Sequence, residues 1–265
     1  MRISISLFFV VTLATLTIVP LQSGFVLITS LYNEKNPVRA QEYIECLRRN
    51  LAHPLIDTIH VIYDTTNETD VSLVLDFIKQ HPEIIVDYGT GRPTFGSLFT
   101  IANNAYAKKT VLVSNGDIYF DETLGHLLEL DLNNTVLALG RWNVNQHGIP
   151  ELAMEDFRIN GVHVHRPAEL SQDVWIFKSP FVLTADDICL GAPHCDHYLA
   201  YRIASAGYKL YNPSKSIRCC HLHVSNIRNY TPGGKHIMPT VGIPACTIDE
   251  VGDPAIKPVR ISFPE

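Results

Sequence analysis

Two short segments of this 265-residue chain carry the side chains best suited to holding a charged ligand. One is SNGDIYFD (114–121), which follows the apolar run 110–114. Asn115 and Asp117, two residues apart at the end of a strand, can turn two oxygens to one side of a loop, and oxygen ligands suit a hard divalent cation. Such an ion bridges to a diphosphate and offsets the charge that builds on a leaving group. The same composition also makes a solvent-exposed turn, which Asn-Gly and Asp favour. The other segment is His221-Leu222-His223, where strand alternation puts both imidazoles on one face. Further acids stand at Asp173, Asp186, Asp187 and Asp196, and Asp196 precedes an amphipathic run where it can also favour a helix N-terminus. The group His194, Cys195, His197, Cys219, Cys220, His221 and His223 is rich in zinc-type ligands. It lacks a Cys-x2-4-Cys knuckle, and adjacent Cys219 and Cys220 point opposite ways on a strand, so the spacing argues against zinc.

The elements that must position these residues alternate. FVLITSLYNE (25–34) is a continuous apolar run ending in polar residues, as a buried parallel strand should be. Residues 38–52 carry Tyr43, Leu47 and Leu51 at helical spacing. A strand at 59–63 ends in Asp64, and a helix over 70–80 presents Val71, Leu73, Val74, Phe77 and Ile78. A strand at 84–88, a helix over 94–107 and the strand 110–114 complete a β-α-β-α-β-α-β order. That order requires a mostly parallel sheet with helices on both faces, in one α/β domain. Ligands of such sheets bind outside the carboxyl ends of the strands, here at Asn33, Glu34, Asp64 and the 114–117 run. Beyond this half the spacing predicts strands at 135–142 and 173–178, a helix over 196–207 with Leu199, Ile203 and Ala206 inward, and one or two short strands in 209–225. The Pro- and Gly-punctuated stretch 143–172 reads as a long loop, and 231–265 reads as an extended tail. Trp142 and Trp175 sit at strands, where core packing competes with a platform for an acceptor.

Composition narrows the classes. Hydrophobic residues make 46% of the chain and charged ones 18%, so the bulk must fold around a core. The formal net charge of −6 argues against a nucleic-acid partner bound through phosphate neutralisation. After Met1-Arg2, residues 3–21 carry no charge. The run is too long for a typical strand and reads, within 1–23, as a signal peptide or signal-anchor. A small-x-small cleavage site is missing, which favours the anchor. With Arg2 retained inside, the rest is translocated: membrane-anchored in the secretory pathway, or secreted if the leader is cleaved. Sequons at Asn67, Asn133 and Asn229 and an even count of six cysteines fit that route. In an oxidising compartment a disulfide through Cys195 or through Cys219 or Cys220 is expected.

SLYNE (30–34), VIYD (61–64), GRPTFGSLFTIANNAY (91–106) and VLVSNGDIYFD (111–121) together resemble the nucleotide half of GT-A glycosyltransferases, family 2-like nucleotide-diphospho-sugar transferases, over most of 25–225. The resemblance implies a GT-A-like, Rossmann-like domain over 24–230. It implies Asn33 or Glu34 and Asp64 at the nucleoside, Arg92 at the diphosphate, and a D-x-D motif holding Mn2+ or Mg2+. This chain reads N-x-D, so Asn115 and Asp117 take that place with one charge fewer. It further implies a C-terminal histidine, His221 or His223, as third metal ligand, and Asp196 as the general base of an inverting transfer. The implied partners are a nucleotide-diphospho-sugar donor, a glycan, lipid or protein acceptor, and a membrane through the N-terminal segment. Two other readings compete. A non-catalytic sugar-nucleotide or glycan binder would tolerate the lost acid. A nucleotidyltransferase would need a Gly-rich basic loop after its first strand, which SLYNEKNP does not supply.

Overall fold

The apolar runs of the first half become the interior of a seven-stranded sheet. The structure, a computed structural model, describes residues 24–66, 72–159, 162–227 and 240–261. The leader and the sequons at Asn67 and Asn229 lie outside the described residues, whereas Asn133 is exposed in a turn. Among the described residues no helix is long and apolar enough to cross a membrane.

The chain begins β1 (Phe25–Tyr32), α1 (Pro37–Leu51), β2 (Ile56–Asp64), α2 (Leu73–Lys79), β3 (Ile84–Gly89), α3 (Phe95–Ala105), β4 (Thr110–Ser114) and β5 (Ile118–Phe120). A 3-10 segment at Glu122–Glu129 leads to β6 (Thr135–Gly140), β7 (Trp142–Val144), β8 (Pro150–Leu152), β9 (Met154–Ile159), β10 (Val162–Pro167) and β11 (Gln172–Lys178). Then come α4 (Cys195–Ser205), β12 (Lys209–Tyr211), β13 (Cys219–His221), β14 (Thr240–Gly242) and β15 (Val259–Ile261).

The large sheet has the order β12-β6-β11-β4-β1-β2-β3. Its strands are parallel except β11, which runs antiparallel to both β4 and β6. Both faces are covered, and alternate side chains of β1 enter different cores. Leu27 and Leu31 join the cluster against α1 and α2, while Val26 and Ile28 join the one with α3 and α4. From β1 the chain builds outward through β2 and β3, then returns to place β4 on the other side of β1. The ends of β1 and β4 therefore flank a topological switch point, where such sheets open a crevice.

Local signals start and stop the helices. Asn36 caps α1 by accepting from the N–H groups of Val38 and Arg39, with Pro37 opening the first turn. Ser72 and Thr94 cap α2 and α3 in the same way. Helix α4 ends with Gly207 at φ +86°, where Gly207 N bonds Ala204 O and Tyr208 N bonds Ile203 O. This is a Schellman closure that a side chain at 207 would strain.

Two parts of the second half differ from the sequence reading. The expected loop 143–172 is two antiparallel hairpins, β7–β8 and β9–β10. Their strands are short, and β7 and β8 are largely half-buried or exposed, so no apolar alternation marks them. Residues 240–261 are mainly extended, yet they pack on the domain. Ile243 is fully buried beside α4 residues, and Cys246 N donates to Asn212 O at 2.8 Å.

Candidate functional site

A second, four-stranded sheet of order β5-β13-β7-β8 stands at the crevice. Strand β5 follows β4 after three residues, Asn115, Gly116 and Asp117. Gly116 lies against β1: a Cβ there would strike the Leu31 side chain and lie 2.9 Å from Ser30 O. Asn50 of α1 ties down β5 by donating to Ile118 O and accepting from Phe120 N. Strand β13 pairs with β5 on one side and β7 on the other, which brings His221 beside Asp117. Leu222 N donates to Asp117 O at 2.9 Å.

Asp117 is buried at 8% exposure. Its Oδ2 accepts from Arg39 Nη2 and lies 3.1 Å from His221 Nε2. Burial opposes its ionisation, but His221 and Arg39 outweigh that and hold its pKa well below the usual carboxylate range. Arg39, at 4% exposure, also donates to Glu42 Oε2 at 2.7 Å and to Leu222 O at 3.0 Å. Glu42 in turn accepts from Ser225 N and Ser225 Oγ. Helix α1 thereby fastens the loop that carries His223.

Asp117, His221 and His223 converge: one ligand atom from each lies within 4.8 Å of the others. His223 Nε2 is 2.7 Å from Ile227 O. A carbonyl oxygen only accepts, so Nε2 carries the proton and Nδ1 keeps its lone pair. Burial and Arg39 lower the pKa of His223, which favours the neutral ring. One carboxylate and two imidazoles, with one nitrogen of His223 on a backbone carbonyl, fit a divalent transition ion.

Beside this group Asn115 donates its amide Nδ2 to Asp173 Oδ1 at 2.7 Å, leaving Oδ1 as its ligand atom. Arg141 Nη1 reaches Asp173 Oδ2 at 3.3 Å. Asp196 stands in the first turn of α4, behind His194 in the left-handed region at φ 64°. Burial first, and the Asp173 charge second, push the Asp196 carboxyl up to about 8. Asp121 is occupied elsewhere, capping the 3-10 segment and pairing with Arg218 at 2.6 Å. Asp187 pairs with Arg202, and Asp186 lies against Gly96 of α3.

At the other end of the crevice Asp64 Oδ1 accepts from Thr66 N, Thr66 Oγ1 and Gly91 N, linking the ends of β2 and β3. Burial works against its charge; these bonds and nearby Arg92 outweigh it and lower its pKa. Arg92 donates to Gly191 O and spans to the loop before α4. Asn33 and Glu34 are buried after β1. Glu34 shapes the turn into α1, accepting from Asn36 N at 2.8 Å and Tyr32 Oη at 3.0 Å.

No protein-family model matches the chain. No curated protein matches it. Solved structures do. GalNAc-T7, solved with UDP, GalNAc and Mn2+, is similar over 80% of this chain and 46% of its own, at 11% identity and a TM-score of 0.55. The fold is that of the GT-A glycosyltransferases. The mannosyltransferase PcManGT from Pyrobaculum calidifontis, solved with GDP-Man and Mn2+, covers 78% of this chain and 58% of its own at 14% identity and a TM-score of 0.47. A 4-diphosphocytidyl-2C-methyl-D-erythritol synthase covers 80% of this chain and 94% of its own at 13% identity and a TM-score of 0.46. This chain spans about half the length of the two transferases.

Within the GT-A fold the cysteines do not form the expected disulfides: all six are free. Cys219 faces Gly140 O inside the large core, while Cys220 packs with Cys46 and Tyr119 in a separate cluster. Burial raises the pKa of Cys46, Cys195 and Cys219 well above the usual thiol value. Among the described residues no cysteine joins a group of converging ligands. Trp175 is core, packed edge-on to Phe95. Trp142 is half-buried and donates to Ser214 O.

Arg39, Arg141 and Asn143 were missed in the sequence. Arg39 and Glu42 look like an exposed i, i+3 pair of a surface helix. Arg141 just before β7 and Asn143 within it belong to a short polar segment whose pattern carries no mark of function.

Proposed function

We propose that this chain transfers a sugar from a nucleotide-diphospho-sugar to an acceptor hydroxyl, with a divalent cation and with inversion. The observation that carries the reading is the convergence of Asp117, His221 and His223 at the carboxyl end of β4, beside the acids Asp173 and Asp196. In this reading Asp117, His221 and His223 hold the cation, with Asn115 Oδ1 adjacent. When bound, the ion supplies positive charge to the diphosphate leaving group. Its mixed oxygen and nitrogen donors suit Mn2+ better than Mg2+, which prefers oxygen alone.

Asn33 and Asp64 flank the crevice at the ends of β1 and β2 and receive the nucleoside, while Arg92 draws the diphosphate by charge. Asp196 takes the proton of the acceptor hydroxyl. The acceptor oxygen bonds to the anomeric carbon from one side as the bond to the diphosphate oxygen breaks on the other. A base with a pKa near working pH is effective in such a step. The charge-free run 3–21 supports a translocated domain.

Thermal stability of the chain with UDP, GDP, CDP or dTDP, with and without Mn2+, tests the reading. A diphosphate at a hundred times its Kd adds about 2.7 kcal/mol. Metal-dependent stabilisation by one of them, lost in Asp117→Ala, is expected. A folded protein that responds to none would sink it. A second reading is a nucleotide-binding protein without turnover, favoured by Arg39 already neutralising Asp117. It predicts nucleotide binding without Mn2+ and an Asp196→Asn variant indistinguishable from wild type.

A further inference from the structure

His221 has a partner that a surface histidine would not need. Strands β13 and β7 run parallel with His221 opposite Asn143. His221 Nδ1 lies 3.2 Å from Asn143 Oδ1, and the same oxygen accepts from Arg141 Nε at 3.1 Å. An arginine Nε only donates, so the Asn143 atom facing it is the carbonyl oxygen and the amide cannot be turned over. That oxygen only accepts, so the His221 nitrogen facing it is the protonated one. The lone pair of the neutral ring is then on Nε2, 3.1 Å from Asp117 Oδ2. A proton on Nε2, or a cation in its place, can lie between the ring and the carboxylate.

Arg141 is itself fixed. Its Nη1 is held by Asp173, which is held by Asn115 of the loop that bears Asp117. A chain of side chains thus leaves the cation-binding loop at Asn115, passes through Asp173, Arg141 and Asn143, and returns to it through His221.

We propose that Asn143 and Arg141 are positioning residues that lock His221 as its Nδ1–H tautomer and so present Nε2 as a ligand atom to a divalent cation. This rests on the cation site of the proposed function. Together with His223, whose Nε2 is bound to Ile227 O, it gives two converging histidines whose rings are each oriented by an oxygen acceptor.

Two measurements on the full chain test it. The first is Mn2+ titration, followed by the electron paramagnetic resonance signal of the free ion. Asn143→Leu should weaken binding 10- to 100-fold, roughly the loss typical of an outer-shell partner. Asn143→Asp, which keeps an acceptor, should retain binding. The second is the nitrogen-15 spectrum of the imidazoles without metal. His221 should show the Nδ1–H tautomer in wild type and lose that preference in Asn143→Leu. Arg141→Met, which frees the Asn143 amide to turn over, should shift the tautomer in the same direction and serves if Asn143→Leu does not fold. A role in packing alone would lower the melting temperature without moving the tautomer. Wild-type Mn2+ affinity and an unchanged tautomer in folded variants would overturn the proposal. Failure of wild type to bind Mn2+, with the tautomer still shifting in Asn143→Leu, would overturn the cation site and leave Asn143 in control of the ring.

Discussion

Asp196 is the residue whose behaviour with pH is most sharply constrained. Its folded pKa is about 8, against an ordinary value of 3.8. Between those values the folded chain keeps a proton that the unfolded chain has released. This contribution to stability is therefore fully present below about pH 4 and is lost as pH rises through about 8. Asn mimics the neutral acid, so Asp196→Asn should gain melting temperature over wild type as pH is raised from 5 to 9. Parallel curves would show that the carboxyl is not held neutral. If Asp196 is the base, the transfer rate should climb with pH toward about 8, and Asp173→Asn should move that limb to lower pH by removing a like charge. Asn115 obeys the same electrostatics. Its amide donates to Asp173 Oδ1 at 2.7 Å, so the first acid of a D-x-D motif would here face another carboxylate. Asn115→Asp should destabilise the chain by about 1–3 kcal/mol in urea unfolding, because Asp173 loses its donor. The loss should shrink at low pH, where one acid is protonated.

Among the elements, α1 has a task beyond covering the sheet. Its buried face includes Arg39, Glu42 and Asn50, which bind respectively the Asp117 loop, the 222–227 loop and β5. A helix held by its core contacts is a rigid base from which to position ligands. Glu42→Ala removes both acceptors of Ser225 while Arg39 keeps Asp117. Amide hydrogen exchange at Ser225 and its neighbours should quicken while protection in β1 and β4 stays unchanged. Equal protection of the loop in the variant would mean that α1 does not hold it.

For the molecule as a whole, Asn212 joins parts of the chain that are remote in sequence. It is fully buried, accepts from Gly140 N at the end of β6, and donates toward Ile243 O at 3.2 Å. Its own carbonyl accepts from Cys246 N. Asn212→Leu should orphan the Gly140 donor at a cost of about 1–3 kcal/mol. It should also loosen residues 240–261, making them the first site of limited proteolysis. Unchanged urea stability and an intact C-terminus under protease would contradict this.

The sequence by itself determined the alternation of strands and helices through residue 120, the parallel character of the sheet and the placing of polar residues at its carboxyl edge. These follow from local periodicity and turn chemistry, which each segment carries on its own. It also singled out Asp117, His221 and His223, because side-chain type and spacing after a strand are visible without coordinates. Tertiary structure alone decided that they meet. Asp117 and His221 are 104 residues apart, Arg39 and Asp117 are 78 apart, and strand pairing joins His221 to Asn143 across another 78. The hairpins of 143–172 were illegible for the same reason: short polar strands take their form from their partners, not from their own pattern. Packing also puts Cys219 and Cys220 in different cores, which a count of cysteines cannot reveal.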